Sequence, residues 1–147
     1  MTTSPDAFAF SYRIRVRWAE VDPQGIVFNA HYLMYFDVAA TEYWRAIGCV
    51  YPAAFVDRGI DMFAVKSTLE YRSPARYDDE LDLHVRVARL GRTSVQVMLD
   101  VRREADELVR GELVYVVANL ADRRPTPIPD FLRSAILAFE KTPPSQA

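Results

Sequence analysis

The chain has 147 residues, of which 50% are hydrophobic and 26% are charged, with a formal net charge of −2. This length fits a single domain, residues 1–147, with a substantial core, and the near-neutral charge gives no reason to expect nucleic acid as a partner. No apolar run reaches the roughly 18 residues of a membrane span and no signal-peptide pattern begins the chain, so we expect a cytoplasmic protein. Cys49 is the only cysteine, which excludes an intrachain disulfide.

The first predicted element is a strand from Phe10 to Trp18, which follows a loose lead-in over residues 1–8. Apolar and polar side chains alternate along this strand, as they do in a half-buried strand. We expect the apolar face to point into the core. The opposite face carries Arg13, Arg15 and Arg17, which we interpret as a solvated row.

A long helix is predicted over residues 30–47. Its apolar residues cover about half of the cylinder, whereas an ordinary surface helix needs only a ~100° stripe. We therefore expect a curved sheet, or a sheet and a partner subunit, to enclose it. Asn29 is the predicted N-cap and Gly48 the predicted end.

The remainder of the chain is rich in β-structure and ends in a short helix. Alternation predicts four strands, near Phe63–Tyr71, Leu81–Val87, Val95–Val101 and Leu108–Leu120. Short turns join consecutive strands, so they must be antiparallel. A proline-rich linker then leads to a predicted terminal helix over residues 129–140, and we expect the tail, residues 141–147, to be disordered.

This order of elements favours an α+β fold in which a five-stranded antiparallel sheet wraps around one long central helix. Such a sheet has two open edges. Pairing an edge or covering a face across a two-fold axis is the simplest way to protect them, so we expect a homodimer or a larger assembly.

The turn between the first strand and the helix carries the candidate chemistry. Asp22 is a carboxylate that can act as nucleophile or general base towards an activated carbonyl, and backbone N–H groups near Asn29 can stabilise the resulting oxyanion. Gly25 allows the loop to fold back so that both groups face one reacting carbon. Taken without its context, Asp22-Pro23-Gln24-Gly25 is a turn sequence in which the aspartate is more often structural than catalytic. Glu20 is interpreted as a supporting residue.

The same stretch resembles the signature of a known family. It reads Glu20-Val21-Asp22-Pro23-Gln24-Gly25-Ile26-Val27-Phe28-Asn29-Ala30-His31-Tyr32. This pattern is similar to that of hotdog-fold acyl-CoA thioesterases of the 4-hydroxybenzoyl-CoA thioesterase type. The likeness extends to Asp37 in the helix and to Tyr77-Asp78-Asp79-Glu80-Leu81, and it covers about residues 10–120.

The resemblance implies a hotdog fold and a thioester hydrolase. In this interpretation Asp22 attacks the acyl carbon or activates water, the backbone N–H of Asn29 polarises the carbonyl, and Gly25 lets the two converge. The substrate would be an acyl-CoA or an acyl-carrier-protein thioester, bound at the interface of a homodimer or homotetramer. No metal or redox cofactor is expected, since CoA enters only as part of the substrate.

Four further residues are candidate substrate contacts. Phe28, His31 and Tyr32 lie at the start of the helix, and Arg92 is the candidate for the CoA phosphates because it lies in a predicted turn between strands. A solvated turn arginine and a first-turn histidine without a catalytic role are the plain alternatives. For the whole chain, two other functions stay open: a non-catalytic acyl-CoA-binding hotdog domain, and a hotdog hydratase or dehydratase, whose Asp and His pair is not found.

Overall fold

The computed structural model describes residues 4–146, and in it five antiparallel strands pack against one long helix. The strands are β1 Phe10–Arg15, β2 Ile60–Tyr71, β3 Glu80–Leu90, β4 Ser94–Arg103 and β5 Asp106–Asn119, with a two-residue strand β6 Ser145–Gln146. The helices are α1 His31–Ala46, the short α2 Ala53–Val56 and α3 Asp130–Phe139. Within residues 4–146, no helix is both long and apolar enough to cross a membrane.

The sheet has the strand order β1-β3-β4-β5-β2, and α1 lies against one face of it. Alternate residues of β3 and β4, such as Leu83, Val85 and Val97, are fully buried on that face, as the period-2 pattern predicted. Phe36 of α1 packs so closely on β5 that only glycine fits at position 111. The predicted α+β hotdog architecture is confirmed.

The first strand is shorter than predicted. It ends at Arg15, and residues Trp18–Glu20 form a 3₁₀ turn instead. Trp18 is therefore 76% exposed, and the prediction that it faces the core is wrong. The strand ends because the backbone N–H of Arg17 donates to the carboxylate of Glu20, which closes the turn. Arg15 is not simply solvated, since it pairs with Glu80 of β3.

Both ends of the described chain are ordered. The lead-in prediction is wrong for residues 5–8, because Pro5–Ala7 forms a 3₁₀ turn and Phe8 is buried against the ring of His84 at 5.5 Å. Residues 1–3 lie outside the described part of the chain. The hydroxyl of Thr142 donates to the carbonyl of Ala7 over 2.9 Å, which joins the two ends.

The tail prediction is also wrong for residues 141–146; residue 147 lies outside the described range. Ser145 and Gln146 pair in parallel with Arg89 and Leu90 of β3. The guanidinium of Arg133 donates to the side-chain oxygen of Gln146 over 3.0 Å. This pairing orders a segment whose composition alone is typical of disorder.

The bounds of the two longer helices differ slightly from prediction. The N-cap of α1 is Ala30, without a side-chain capping bond, so the predicted N-cap role of Asn29 is wrong. Gly48 follows α1 with φ of 86°, as expected of a residue that ends a helix. Helix α3 lies within the predicted range, and Pro129 is its N-cap.

Candidate active site

The loop after the 3₁₀ turn folds back on itself around Asp22. The Asp22 N–H donates to the carbonyl of Ile26 over 2.9 Å, and the Gly25 N–H donates to the carbonyl of Asp22 over 2.9 Å. Gly25 has φ of 78°, a conformation that other residues adopt only at a cost. One oxygen of the Asp22 carboxylate accepts the N–H of Gln24 over 2.8 Å. The reversal expected from Gly25 is therefore present, and it fixes the position of the aspartate.

Glu20 anchors this loop to the core. Its side chain accepts hydrogen bonds from the Arg17 N–H, the Arg17 guanidinium and the Tyr35 hydroxyl, at 2.8, 2.8 and 2.9 Å. Burial alone would raise the pKa of Glu20, but these hydrogen bonds outweigh it and lower the pKa below its usual range. Glu20 is thus a charged structural anchor, which agrees with the supporting role expected from the sequence.

The start of α1 presents backbone donors. The N–H of Phe28 donates to the carbonyl of Glu20, and the N–H of His31 donates to the carbonyl of Phe28, both over 2.9 Å. Among residues 4–146, the N–H groups of Asn29 and Ala30 have no hydrogen-bond acceptor. Unpaired N–H groups at a helix start carry partial positive charge and attract a developing anion.

One cavity is lined by both Asp22 and Asn29. Its volume is about 320 Å³, and its walls come from the Asp22 loop, the start of α1 and the end of β2. It is lined by Asp22, Gln24, Ile26, Val27, Asn29, Tyr32, Tyr71, Arg72, Ser73 and Pro74. Asp22 and Asn29 share this cavity, as the sequence predicted, and Tyr32 lines it as well.

Asp22 also lines a second cleft. This cleft has a volume of about 530 Å³ and is lined further by Trp18, Val21, Pro23, Gly25 and Tyr77. The rings of Trp18 and Tyr77 meet edge to face, with centroids 5.4 Å apart. Asp22 therefore lines both cavities.

Three of the predicted substrate contacts do not line the first cavity. The rings of Phe28 and His31 contact each other at 6.0 Å beside it. Arg92 is exposed in the turn after β3, where its carbonyl accepts the N–H of Ile128. Through β5 and β4, the strand register places Tyr71 of the cavity wall level with Leu83 of β3. The end of β3 lies seven residues further along, about 23 Å, so Arg92 is remote from the cavity within one subunit.

Seven residues of the cavity wall were not predicted as site residues: Gln24, Ile26 and Val27 in the motif, and Tyr71, Arg72, Ser73 and Pro74 at and after the end of β2. The hydroxyl of Tyr71 donates to the carbonyl of Asn29 over 3.2 Å. Arg72 pairs with Glu107 of β5 at 2.9 Å. The alternating pattern of β2 indicates where that strand ends, but no local pattern indicates that its end meets the Asp22 loop.

The other candidate groups of the sequence lie elsewhere. Burial raises the pKa of the Cys49 thiol, which disfavours a reactive thiolate. Asp37 lines a separate cavity with Tyr51 and Tyr115, and its backbone carbonyl accepts the hydroxyl of Thr41 over 2.9 Å. In the described range 4–146, no three His, Cys, Asp or Glu side chains are grouped so as to hold a metal ion.

The sheet wrapped around α1, together with the cavity beside the helix start, defines a hotdog-fold protein of the thioesterase class. A family model described as the thioesterase-like superfamily matches residues 16–136, and the chain belongs to this superfamily. The resemblance stated from the motif is thereby confirmed.

Individual relatives agree with this assignment. The chain is 28% identical over 133 residues to the acyl-CoA thioester hydrolase YbgC of Escherichia coli O6:H1, covering 90% of this chain and 96% of that protein. A shorter match to a protein of Aquifex aeolicus strain VF5 is 36% identical over 83 residues, and spans 56% of this chain and 64% of that one.

Solved structures show the same fold over nearly the whole chain. A protein from Pseudomonas aeruginosa strain PAO1 has a TM-score of 0.82 and 28% identity, covering 92% of this chain and 94% of its own. A thioesterase from Thermus thermophilus, solved with coenzyme A and Zn, has a TM-score of 0.80 and 29% identity, covering 94% of this chain and 98% of its own.

Proposed function

We propose that the protein hydrolyses an acyl-CoA thioester to a free acid and CoA, with Asp22 as the reacting carboxylate. The observation that carries this proposal is the cavity that Asp22 shares with the helix start at Asn29. Membership of the thioesterase-like superfamily and the likeness to an acyl-CoA thioester hydrolase support the same reaction. An acyl-carrier-protein thioester has the same reacting group and is the alternative substrate.

Two routes fit a carboxylate in this position. As a nucleophile, Asp22 attacks the acyl carbon, the C–S bond breaks, the CoA thiolate takes a proton from water, and water then hydrolyses the acyl-aspartate anhydride. As a general base, Asp22 takes a proton from water while that water attacks the same carbon, and the departing thiolate receives the proton. In both, the Asn29 N–H stabilises the oxyanion, and loss of one such donor typically costs about 10²–10³ in turnover.

The two clefts beside Asp22 support a substrate with two arms. A thioester carries the acyl group on one side of the reacting carbon and the pantetheine chain on the other, so each arm could occupy one of the two clefts that Asp22 lines. Tyr32 is proposed to contact substrate from the cavity wall, and Phe28 and His31 from beside the helix start.

We further propose that the working form is a homodimer or homotetramer. In the described chain β2 pairs only with β5, so its other edge is open, and this edge exposes Val65 by 60% and Tyr71 by 52%. Arg92 is proposed to meet the CoA phosphates of a neighbouring subunit, since it is remote from the cavity of its own. Light scattering should give a mass of at least two chains, and Val65→Lys should lower it; a monomeric wild type would contradict the assembly.

A cytoplasmic location and activity without a metal or redox cofactor complete the proposal. The reaction needs only a carboxylate, water and N–H donors. Turnover should therefore survive prolonged dialysis against a chelator, and loss of activity that added metal restores would contradict this part.

The decisive experiment measures free thiol release from aromatic, short, medium and long acyl-CoAs. Asp22→Asn should keep the wild-type circular dichroism and unfolding midpoint and lose most of its turnover. Asp57→Asn, an exposed aspartate after α2, is the matched control and should retain full activity. Near-normal kcat/KM of Asp22→Asn towards every cleaved thioester would contradict the role of Asp22. Tight binding of acyl-CoA without thiol release by the wild type would favour a binding domain instead.

A further inference from the structure

Tyr71 connects the end of β2 to the start of α1. Its hydroxyl donates to the Asn29 carbonyl over 3.2 Å, across 42 residues of sequence. Its ring packs on the ring of Tyr32, with centroids 5.8 Å apart, and the Tyr32 hydroxyl in turn accepts the Ala75 N–H over 3.4 Å. The side chain of Tyr71 is thus held in place although half of it is exposed.

The carbonyl that Tyr71 contacts belongs to the same planar peptide as the Ala30 N–H. In a trans peptide these two groups point in opposite directions. Ala30 is helical, with φ of −68° and ψ of −21°, so its N–H points out of the start of α1. No residue between 4 and 146 accepts this N–H, and the same holds for the N–H of Asn29.

A hydrogen bond to the carbonyl of a peptide strengthens the N–H at its other end, because the two dipoles polarise each other. Successive N–H groups that point the same way bind one anion between them. Burial raises the pKa of Tyr71, so its hydroxyl keeps the proton that it donates at neutral pH.

We propose that Tyr71 is a positioning residue for the hydrolysis: its hydroxyl orients and polarises the Asn29–Ala30 peptide, so that the Ala30 N–H acts as a second oxyanion donor beside the Asn29 N–H. This inference rests on the proposed function. The donors contact the carbonyl oxygen of the bound substrate and bind it more strongly once attack makes it an oxyanion, so the main effect is on turnover.

Tyr71→Phe tests the role of the hydroxyl while keeping the ring on Tyr32. The weaker Ala30 donor should lower kcat by about 5-fold to 30-fold, which corresponds to ~1–2 kcal/mol in the transition state, with little change in KM. Tyr51→Phe is the matched control, since its exposed hydroxyl also makes one 3.2 Å hydrogen bond, to Asp61, remote from the cavity. It should leave kcat unchanged. Unfolding midpoints of both variants should stay near the wild type.

A spectroscopic measurement separates positioning from a merely structural role. In the Asp22→Asn background the thioester stays intact, so the stretching frequency of a ¹³C-labelled substrate carbonyl can be recorded in the site. Adding Tyr71→Phe should move this frequency back towards its value in water, because one donor is weakened. Adding Tyr51→Phe should not move it.

The outcomes distinguish this inference from the function on which it rests. If Asp22→Asn abolishes turnover but Tyr71→Phe leaves both kcat and the carbonyl frequency unchanged, the inference is wrong and the proposed function stands. A raised KM with unchanged kcat also overturns it, since Tyr71 would then contact substrate directly. If Asp22→Asn keeps its turnover, the proposed function fails, and the inference with it.

Discussion

The hydroxyl of Tyr35, in α1, donates to Oε1 of Glu20 over 2.9 Å, and both residues are only 4% exposed. This bond ties the central helix to the turn that precedes Asp22. Burial and the neighbouring Glu20 carboxylate raise the pKa of Tyr35, so the hydroxyl is protonated and donates throughout the neutral range. The position of Asp22, the aspartate that we propose to react, therefore depends on the core.

Tyr35→Phe should lower both stability and activity. It removes a donor to a buried carboxylate, which we expect to cost about 1–3 kcal/mol in the free energy of unfolding, measured by urea denaturation. The weaker anchor should also lower kcat for thioester hydrolysis. Unchanged stability would mean that the two Arg17 donors suffice for Glu20.

Gly25→Ala should damage the site more than the fold. Gly25 and Gly59 have φ of 78° and 74°, and an added Cβ would touch nothing within 4 Å at either position. Each substitution should therefore cost about 1 kcal/mol of stability, through backbone strain alone. Only Gly25→Ala disturbs the Asp22 turn, so kcat/KM should fall for this variant and not for Gly59→Ala. Equal activity of the two would show that the turn tolerates the strain.

Gly111→Ala should be strongly destabilising. The new Cβ would lie 2.2 Å from Cε2 of Phe36, a distance that forces the ring or the strand to move. Overpacking of this kind costs about 1–3 kcal/mol or more, measurable as a lower urea midpoint. Phe36→Leu in the same chain should recover part of the loss, because it removes the clashing ring atoms. Additive losses in the double variant would contradict a direct clash.

Glu140 should make stability fall as the pH rises. Its carboxylate accepts hydrogen bonds from the Tyr43 hydroxyl and the Val87 N–H, over 2.7 and 2.8 Å. These bonds lower the pKa of Glu140, but burial has the larger effect and raises the pKa above its usual value. Between the unfolded pKa of about 4.3 and the raised native pKa, the native state keeps the Glu140 proton that the unfolded state has lost. The contribution of Glu140 to the free energy of unfolding therefore declines as the pH rises through this range.

Glu140→Gln keeps the acceptor and removes the titration. Its free energy of unfolding relative to wild type should therefore increase from pH 4 to pH 8 in urea titrations. Glu104→Gln, at an exposed turn residue, is the control and should show no comparable trend. A constant difference between Glu140→Gln and wild type across this range would contradict the expected contribution.

The sequence predicts the strands and α1 well because their burial follows a local period. It fails at Trp18, where alternation continues although the Glu20 carboxylate closes a turn and ends the strand. It fails again at Ser145 and Gln146, since their order comes from pairing with β3, more than fifty residues away in sequence. Periodicity does not report such long-range pairing.

The candidate site likewise combines residues that are close in sequence, whose arrangement can be predicted, with residues that only the fold brings near them. Asp22, Gly25 and Asn29 lie within eight residues, so the turn that joins them can be predicted from their spacing. Tyr71 reaches the cavity only because β2 ends beside that turn. Arg92 lies in a turn, as predicted, but this turn is at the end of β3, and the local sequence does not indicate how far that end is from the Asp22 loop.

The bond from Thr142 to the Ala7 carbonyl spans 135 positions of sequence and nearly closes the polypeptide into a ring. Joining these two segments by a short linker would cost little chain entropy, because Ala7 and Thr142 are already in contact in the native state. A circular permutant that is opened instead at the exposed turn after β4, near Ala105, should therefore fold, and it would leave the Asp22 loop in an uninterrupted stretch of chain.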